Sequence, residues 1–199
     1  VSSQLETDNT LGFIETFKQN ELCVVAGSTW PEDETLFINF INSEVSKNVK
    51  FIIAPHNIKS AQIKNIQEKL MAESVLFSEK DTKQPKTAQV FIVDTIGILS
   101  KIYSYADIAY VGGAIGTTGL HNTLEPAVFG VPIIIGNNHS KFPEAQEMID
   151  NGGMFSVSSH KEFDAILIEL IKNSEKRTFS GNNNLEYIKK NKGAVTKIM

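Results

Sequence analysis

The chain has 199 residues with a formal charge of −4, a length that fits one large domain able to bury a substantial core. The acidic balance and the dispersed lysines exclude a nucleic-acid surface, and the single cysteine, Cys23, excludes a disulfide framework. No apolar run approaches the ~20 residues needed to span a bilayer, and no signal peptide is evident. The chain opens on Val1 and stays polar through Thr10, so a soluble fragment cut from a longer protein is expected.

In chain order, short apolar runs read as strands at Leu22–Ala26, Lys50–Ala54, Ser74–Phe77, Val90–Val93, Ile108–Val111, Ile133–Ile135 and Phe155–Val157. Between them, Asp33–Ser46, Ser60–Met71, Gly97–Tyr105, Thr123–Phe129, Phe142–Asn151 and Lys161–Asn173 read as helices. In the first of these Leu36, Phe37, Phe40 and Ile41 recur at helical spacing, and Glu32, Asp33 and Glu34 oppose the helix dipole. The tail from Ser174 to Met199 adds a last helix around Leu185–Asn191. Its Lys189, Lys190, Lys192 and Lys197 read as a solvated helix face, with a membrane-surface contact as the second reading. Strand and helix alternate throughout, which is the pattern of an α/β fold, a Rossmann-like parallel sheet with helices on both faces and no internal domain boundary. Cys23 falls inside an apolar strand and reads as a buried hydrophobe.

In such sheets ligands sit beyond the carboxyl ends of the strands. The run from Val111 to Ala127, V-G-G-A-I-G-T-T-G-L-H-N-T-L-E-P-A, is a strand entering a loop with glycines at 112, 113, 116 and 119, then a helix carrying Glu125. Such a loop lets the backbone approach a ligand, and the amides opening the helix suit a phosphate. Glu125 could accept from ribose or sugar hydroxyls. Ala114 breaks the dinucleotide fingerprint, and no lysine completes a P-loop. A turn whose glycines serve packing alone is the other reading.

The remaining loops supply further candidates. Gly27, Ser28 and Thr29 bring an amide and two hydroxyls to a helix start, as ligand contacts or as a cap. His56 stands beside Pro55 at a strand end, where it is either solvated or a donor to phosphate or carboxylate. Asp94 reads as a helix cap, with Ile96 and Gly97 offering backbone to a flat base; Asn137, Asn138, His139 and Lys141 form a polar loop. His56, His121, His139 and His160 lack metal-ligand spacing, so no metal is expected.

Taken together, the motifs A-G-S-T-x-P, x-P-H, V-D-T-x-G-x-L, A-D-x-A-Y-V-G-G and G-L-H-N-x-L-E-P-A-x-F-G-x-P-I resemble the donor-binding half of bacterial 3-deoxy-D-manno-octulosonic acid (Kdo) transferases. The resemblance runs from about Leu22 to Val157. It implies one half of a GT-B glycosyltransferase, the C-terminal domain that binds CMP-Kdo, with no cofactor. The acceptor domain, with a glutamate base and a membrane-associating segment, lies in an N-terminal half absent from these residues. The implied activity of the whole enzyme is inverting transfer of Kdo from CMP-Kdo to lipid A precursor in lipopolysaccharide biosynthesis, at the cytoplasmic face of the inner membrane. The isolated chain is then expected to bind the donor and transfer nothing.

The same resemblance assigns Glu125 to the ribose hydroxyls, Asn122 and the amides around Thr123 to the phosphate, Ile96 and Gly97 to cytosine, and Ser28 and Thr29 to the phosphate or the Kdo carboxylate. The chain departs from it where P-R-H becomes A-P-H, so that Pro55 replaces an arginine, and where Ile98 replaces a glutamate. The loop from Gly113 to Leu120 is also longer than the usual form. Two other readings remain: a GT-B enzyme using a UDP-sugar, such as a glycosyltransferase or UDP-N-acetylglucosamine 2-epimerase, and a nucleotide-binding module without catalysis.

Overall fold

The structure, a computed structural model, describes residues 7–192. Among these residues seven strands form one sheet: β1 Leu22–Thr29, β2 Val49–Pro55, β3 Ser74–Leu76, β4 Val90–Ile92, β5 Ile108–Val111, β6 Ile133–Gly136 and β7 Met154–Val157. Their order is β3-β4-β2-β1-β5-β6-β7, and every pairing is parallel. Each run read as a strand is one, with ends that match or differ by a single residue, apart from β1, which extends three residues past Ala26.

These strands are apolar on both sides because both faces are covered. Along β1, Cys23 and Val25 enter one core while Val24 and Ala26 enter the other. The first face receives α1 (Gly12–Lys18), α4 (Leu99–Ile102), α5 (Leu124–Ala127), α6 (Pro143–Asp150) and α8 (Ser174–Lys192). The second receives α2 (Pro31–Ile41), α3 (Ser60–Lys69) and α7 (His160–Lys172). There Phe163 is fully buried against Phe37 and Phe40, with ring centroids 5.0 and 6.1 Å away, a burial that contributes about 1.5–3 kcal/mol. Cys23 is buried, and desolvation pushes its thiol up to about 12, so it is an inert hydrophobe at neutral pH.

Several helices differ from the sequence reading. α1 was not foreseen; it buries Ile14 and Phe17, and Phe17 packs 5.4 Å from Phe91. α2 ends at Ile41, with a 3₁₀ turn at Glu44–Ser46, while α4 is one turn that tightens into a 3₁₀ turn at Tyr103–Tyr105. α5 spans four residues, not Thr123–Phe129. α8 starts eleven residues before Leu185; Lys189 and Lys190 are exposed on it, whereas Lys197 lies outside the described residues.

The strand order reverses at the middle of the sheet. β2, β4 and β3 extend to one side of β1, and β5, β6 and β7 to the other. The switch point between β1 and β5 therefore opens a crevice at their carboxyl ends, and the loops after β1, β2 and β5 border it. Among the described residues no helix is long and apolar enough to cross a membrane.

Candidate functional site

At the crevice β1 leaves the sheet irregularly. Ser28 has φ 53°, a left-handed conformation costing roughly 1–2 kcal/mol for a residue with a Cβ, and the register against β2 shifts between Gly27 and Thr29. Ser28 is half-buried at the crevice. Thr29 differs from its expected role: it is fully buried, and its hydroxyl donates to Glu34 Oε1 at 3.3 Å instead of facing a ligand.

The loop after β1 is locked to the glycine-rich loop by one carboxylate. Asp33 is 1% exposed; its Oδ2 accepts from the amides of Trp30 at 2.9 Å and Gly113 at 3.0 Å, and its Oδ1 accepts from the Tyr110 hydroxyl at 2.5 Å. Burial pushes its carboxyl above the usual carboxylate range, although these three donors oppose the shift. Neighbouring Glu34 is also buried, bound by Gln62 and Thr29, and shifted upward by desolvation. Asp33 and Glu34 thus stand in the first turn of α2, facing the helix dipole as their positions in the sequence imply, and being buried they also serve as internal struts.

That strut corrects the view of the glycines. A Cβ at Gly112 would overlap the Ser28 carbonyl, and one at Gly113, where φ is +99°, would overlap the Gly119 carbonyl. The amides of Gly112, Gly113, Gly119 and His121 bond to Gly27, Asp33, Gly113 and Gly112. These glycines let the loop fold tightly on itself, so packing accounts for Gly112 and Gly113. Gly119, at φ +97° with open space around it, is required by conformation alone.

The loop delivers the polar end of the site. Asn122 Oδ1 accepts from the Leu124 amide at 3.1 Å, and its Nδ2 donates to Glu125 Oε1 at 3.2 Å. Ser100 on α4 donates to Glu125 Oε2 at 2.9 Å. Glu125 therefore bridges α4 and α5, yet each carboxylate oxygen has two acceptor sites and one partner among the described residues, which leaves capacity for ligand hydroxyls. Thr123 is buried at the start of α5. With α5 so short and the Leu124 amide already capped, a phosphate here would meet a few local donors, not a long helix dipole.

The loop after β4 lies on the Glu125 side through Ser100. Ile96 is 84% exposed and Gly97 has φ +87°, so both present an open surface. Asp94 does not cap α4: its two oxygens accept from the amide and hydroxyl of Ser78 at 2.9 and 2.6 Å. On the other side, Asn138 Nδ2 donates to the Gly116 carbonyl at 2.7 Å, and Asn138 lines an open cavity of about 240 Å³ with Thr117, Gly119, Ser140, Lys141 and Phe142. The His139 ring meets the Ser156 hydroxyl at 3.2 Å.

One group was missed by the residue-by-residue reading. Trp30, His56 and His121 stack across the crevice, with centroids 4.6 Å apart for Trp30–His56 and 4.5 Å for His56–His121. Trp30 Nε1 donates to His121 Nε2 at 3.1 Å. Partial burial, then the adjacent His56, lowers the pKa of His121. The signal was present in the strand order, since the three loops follow β1, β2 and β5, which are neighbours. Among the described residues no group of three or more His, Cys, Asp or Glu could hold a metal ion.

No protein-family model matches the chain. It is 28% identical over 189 residues to the 3-deoxy-D-manno-octulosonic acid transferase of Haemophilus influenzae, covering 92% of this chain and 44% of the relative. To the enzyme of the same name from Aquifex aeolicus it is 30% identical over 152 residues, covering 74% and 41%. The chain therefore spans less than half the length of these curated relatives. Among solved structures, the C-terminal CMP-Kdo binding domain of WaaA from Acinetobacter baumannii superposes with a TM-score of 0.76 at 21% identity, covering 88% of this chain and 93% of that one. The chain is a GT-B-fold domain that closely resembles that domain.

Proposed function

We propose that the chain is the donor-binding domain of a Kdo transferase and that the crevice between β1 and β5 receives CMP-Kdo. The observation that carries this reading is the convergence of Glu125, Asn122 and Ser100 beside the glycine-rich loop at the switch point, in a domain with the WaaA likeness. In this reading the ribose hydroxyls donate to the unfilled acceptor sites of Glu125. The phosphate lies near Asn122 and the amide of Thr123, with Ser28 at the opposite wall. Cytosine lies on the open surface at Ile96 and Gly97.

Departure of CMP from the anomeric carbon leaves negative charge on the phosphate, and fixed donors around it stabilise that charge without reorganising. The acceptor, a lipid A precursor, and the glutamate base belong to an N-terminal half not contained in this sequence. Full-length protein would then work at the cytoplasmic face of the inner membrane. The chain alone, mixed with CMP-Kdo and lipid A precursor, is expected to release no product; turnover would place the base within these residues.

The ribose assignment has its own test. Glu125→Ala should weaken CMP binding by about 1.5–3 kcal/mol, the worth of hydrogen bonds to a charged group, while Ser100→Ala should change it by less than about threefold. Equal losses in both variants would make Glu125 a structural bridge between α4 and α5.

A further inference from the structure

Two imidazoles, His56 and His121, stand 4.5 Å apart at the switch point, and their surroundings differ in kind. His121 is half-buried and accepts at Nε2 from the indole N–H of Trp30, a group that can only donate. That bond requires a lone pair on Nε2, so it places the His121 proton on Nδ1 and keeps the ring neutral. His56 is exposed, and its ring lies nearly parallel to the face of Trp30, at 4.6 Å and 21°. An indole face attracts a cation. A proton entering this pair therefore goes to His56, since on His121 it would break the indole bond and charge the more buried ring.

Most of the other charged groups nearby are already engaged. Asp33, packed behind Trp30, has its carboxylate engaged by three donors, and Glu34 is bound by Thr29 and Gln62. Lys59 is exposed at the start of α3. The sole arginine, Arg177, donates to the carbonyls of Leu170 and Ile171 at the end of α7 and is unavailable to this crevice.

We propose that His56 is the cationic contact for the anionic part of the nucleotide donor, with Trp30 and His121 as positioning residues that assign the charge to it. The inference rests on the donor-domain reading and makes donor affinity depend on pH. Affinity is greatest when the His56 ring carries its second proton and declines when that proton is lost.

The probe is the methyl ester of CMP, a phosphodiester whose own charge is fixed across the pH range titrated. Calorimetry should show its binding to the wild-type chain weakening about tenfold between about pH 5.5 and about pH 8, the factor supplied by one charge-assisted hydrogen bond. His56→Gln should bind at the weaker level throughout, and His56→Lys should bind at the tighter level throughout. NMR titration of the ring protons, which needs no ligand, should show His56 charging before His121, and Trp30→Phe should raise the titration of His121. A flat wild-type profile with unaltered binding by His56→Gln would overturn the inference, as would His121 charging first. Failure of both the ester and CMP to bind any of these proteins would instead overturn the donor-domain reading beneath it.

Discussion

Replacing Asp33 by asparagine keeps the shape of the side chain and removes its capacity to serve three donors. In the wild type, one oxygen takes Tyr110 while the other takes the amides of Trp30 and Gly113, all in a site 1% exposed. Asparagine offers a single oxygen. Whichever way the amide turns, its NH₂ faces donors, and at least one buried N–H or O–H loses its partner, at about 1–3 kcal/mol each. A second, strained contact brings the expected loss to about 2–4 kcal/mol, or about 4–16 °C in Tm for a domain of this size. Urea unfolding monitored by circular dichroism would measure it. The variant also tests the charge: burial raises the folded carboxyl above its unfolded value, so its contribution is fully present below the ordinary carboxylate range and is lost as pH rises through the folded value. Wild-type stability should therefore fall across that window more than that of Asp33→Asn, although Glu34, shifted in the same direction, leaves part of the slope in both. A variant within 0.5 kcal/mol of wild type, with an unchanged pH profile, would refute the view of Asp33 as the strut between the two loops.

Two further expectations follow from backbone packing. Gly113→Ala combines φ +99° with a clash against the Gly119 carbonyl and should cost at least about 2–3 kcal/mol and weaken nucleotide binding, whereas Gly97→Ala, at φ +87° in open space, should cost about 1–2 kcal/mol; equal losses in unfolding experiments would contradict the distinction. Asn184→Ala should destabilise by about 2–4 kcal/mol, because Nδ2 of this fully buried residue donates to the carbonyls of Val131 and Gly153, both at 2.7 Å; a loss under about 1 kcal/mol in thermal unfolding would show that water replaces it.

Where local pattern and tertiary environment agree, the chain reads plainly. The seven strands are runs of β-branched and aromatic residues, and burial on both faces turns those runs into a parallel sheet. α8 was largely hidden because Ser180, Gly181 and Asn182 to Asn184 are poor helix formers. Those residues are what the packing demands: a Cβ at Gly181 would overlap the Gly130 carbonyl, Ser180 is buried, and Asn184 donates to the carbonyls of Val131 and Gly153, which an apolar side chain would leave unpaired. α1 was hidden for the opposite reason, since seven residues without a side-chain cap carry little signal until Phe91 lies beneath them.

The candidate site divides in the same way. Glu125, Asn122, Gly97 and His56 stood out through local motifs, and the fold sets them at strand carboxyl ends. Thr29 stood out equally but is buried, because the irregularity at Ser28 turns it inward, which no local pattern announces. Asp33 resembled a helix-start acid, and only its distance of 77 and 80 residues along the chain from Tyr110 and Gly113 conceals that it binds them. The stack of Trp30, His56 and His121 is likewise invisible until β2, β1 and β5 are placed side by side.

Calorimetric titration of this chain with CMP, and with UMP as the control, tests the central claim most directly. The bases differ in one exocyclic group, and a site that hydrogen-bonds the cytosine amine should favour CMP by roughly 1–3 kcal/mol, about 5- to 150-fold. CMP binding with that preference is the predicted result. Equal binding of the two would contradict a site that reads the cytosine amine, and a preference for UMP would assign the crevice to a uridylate sugar instead.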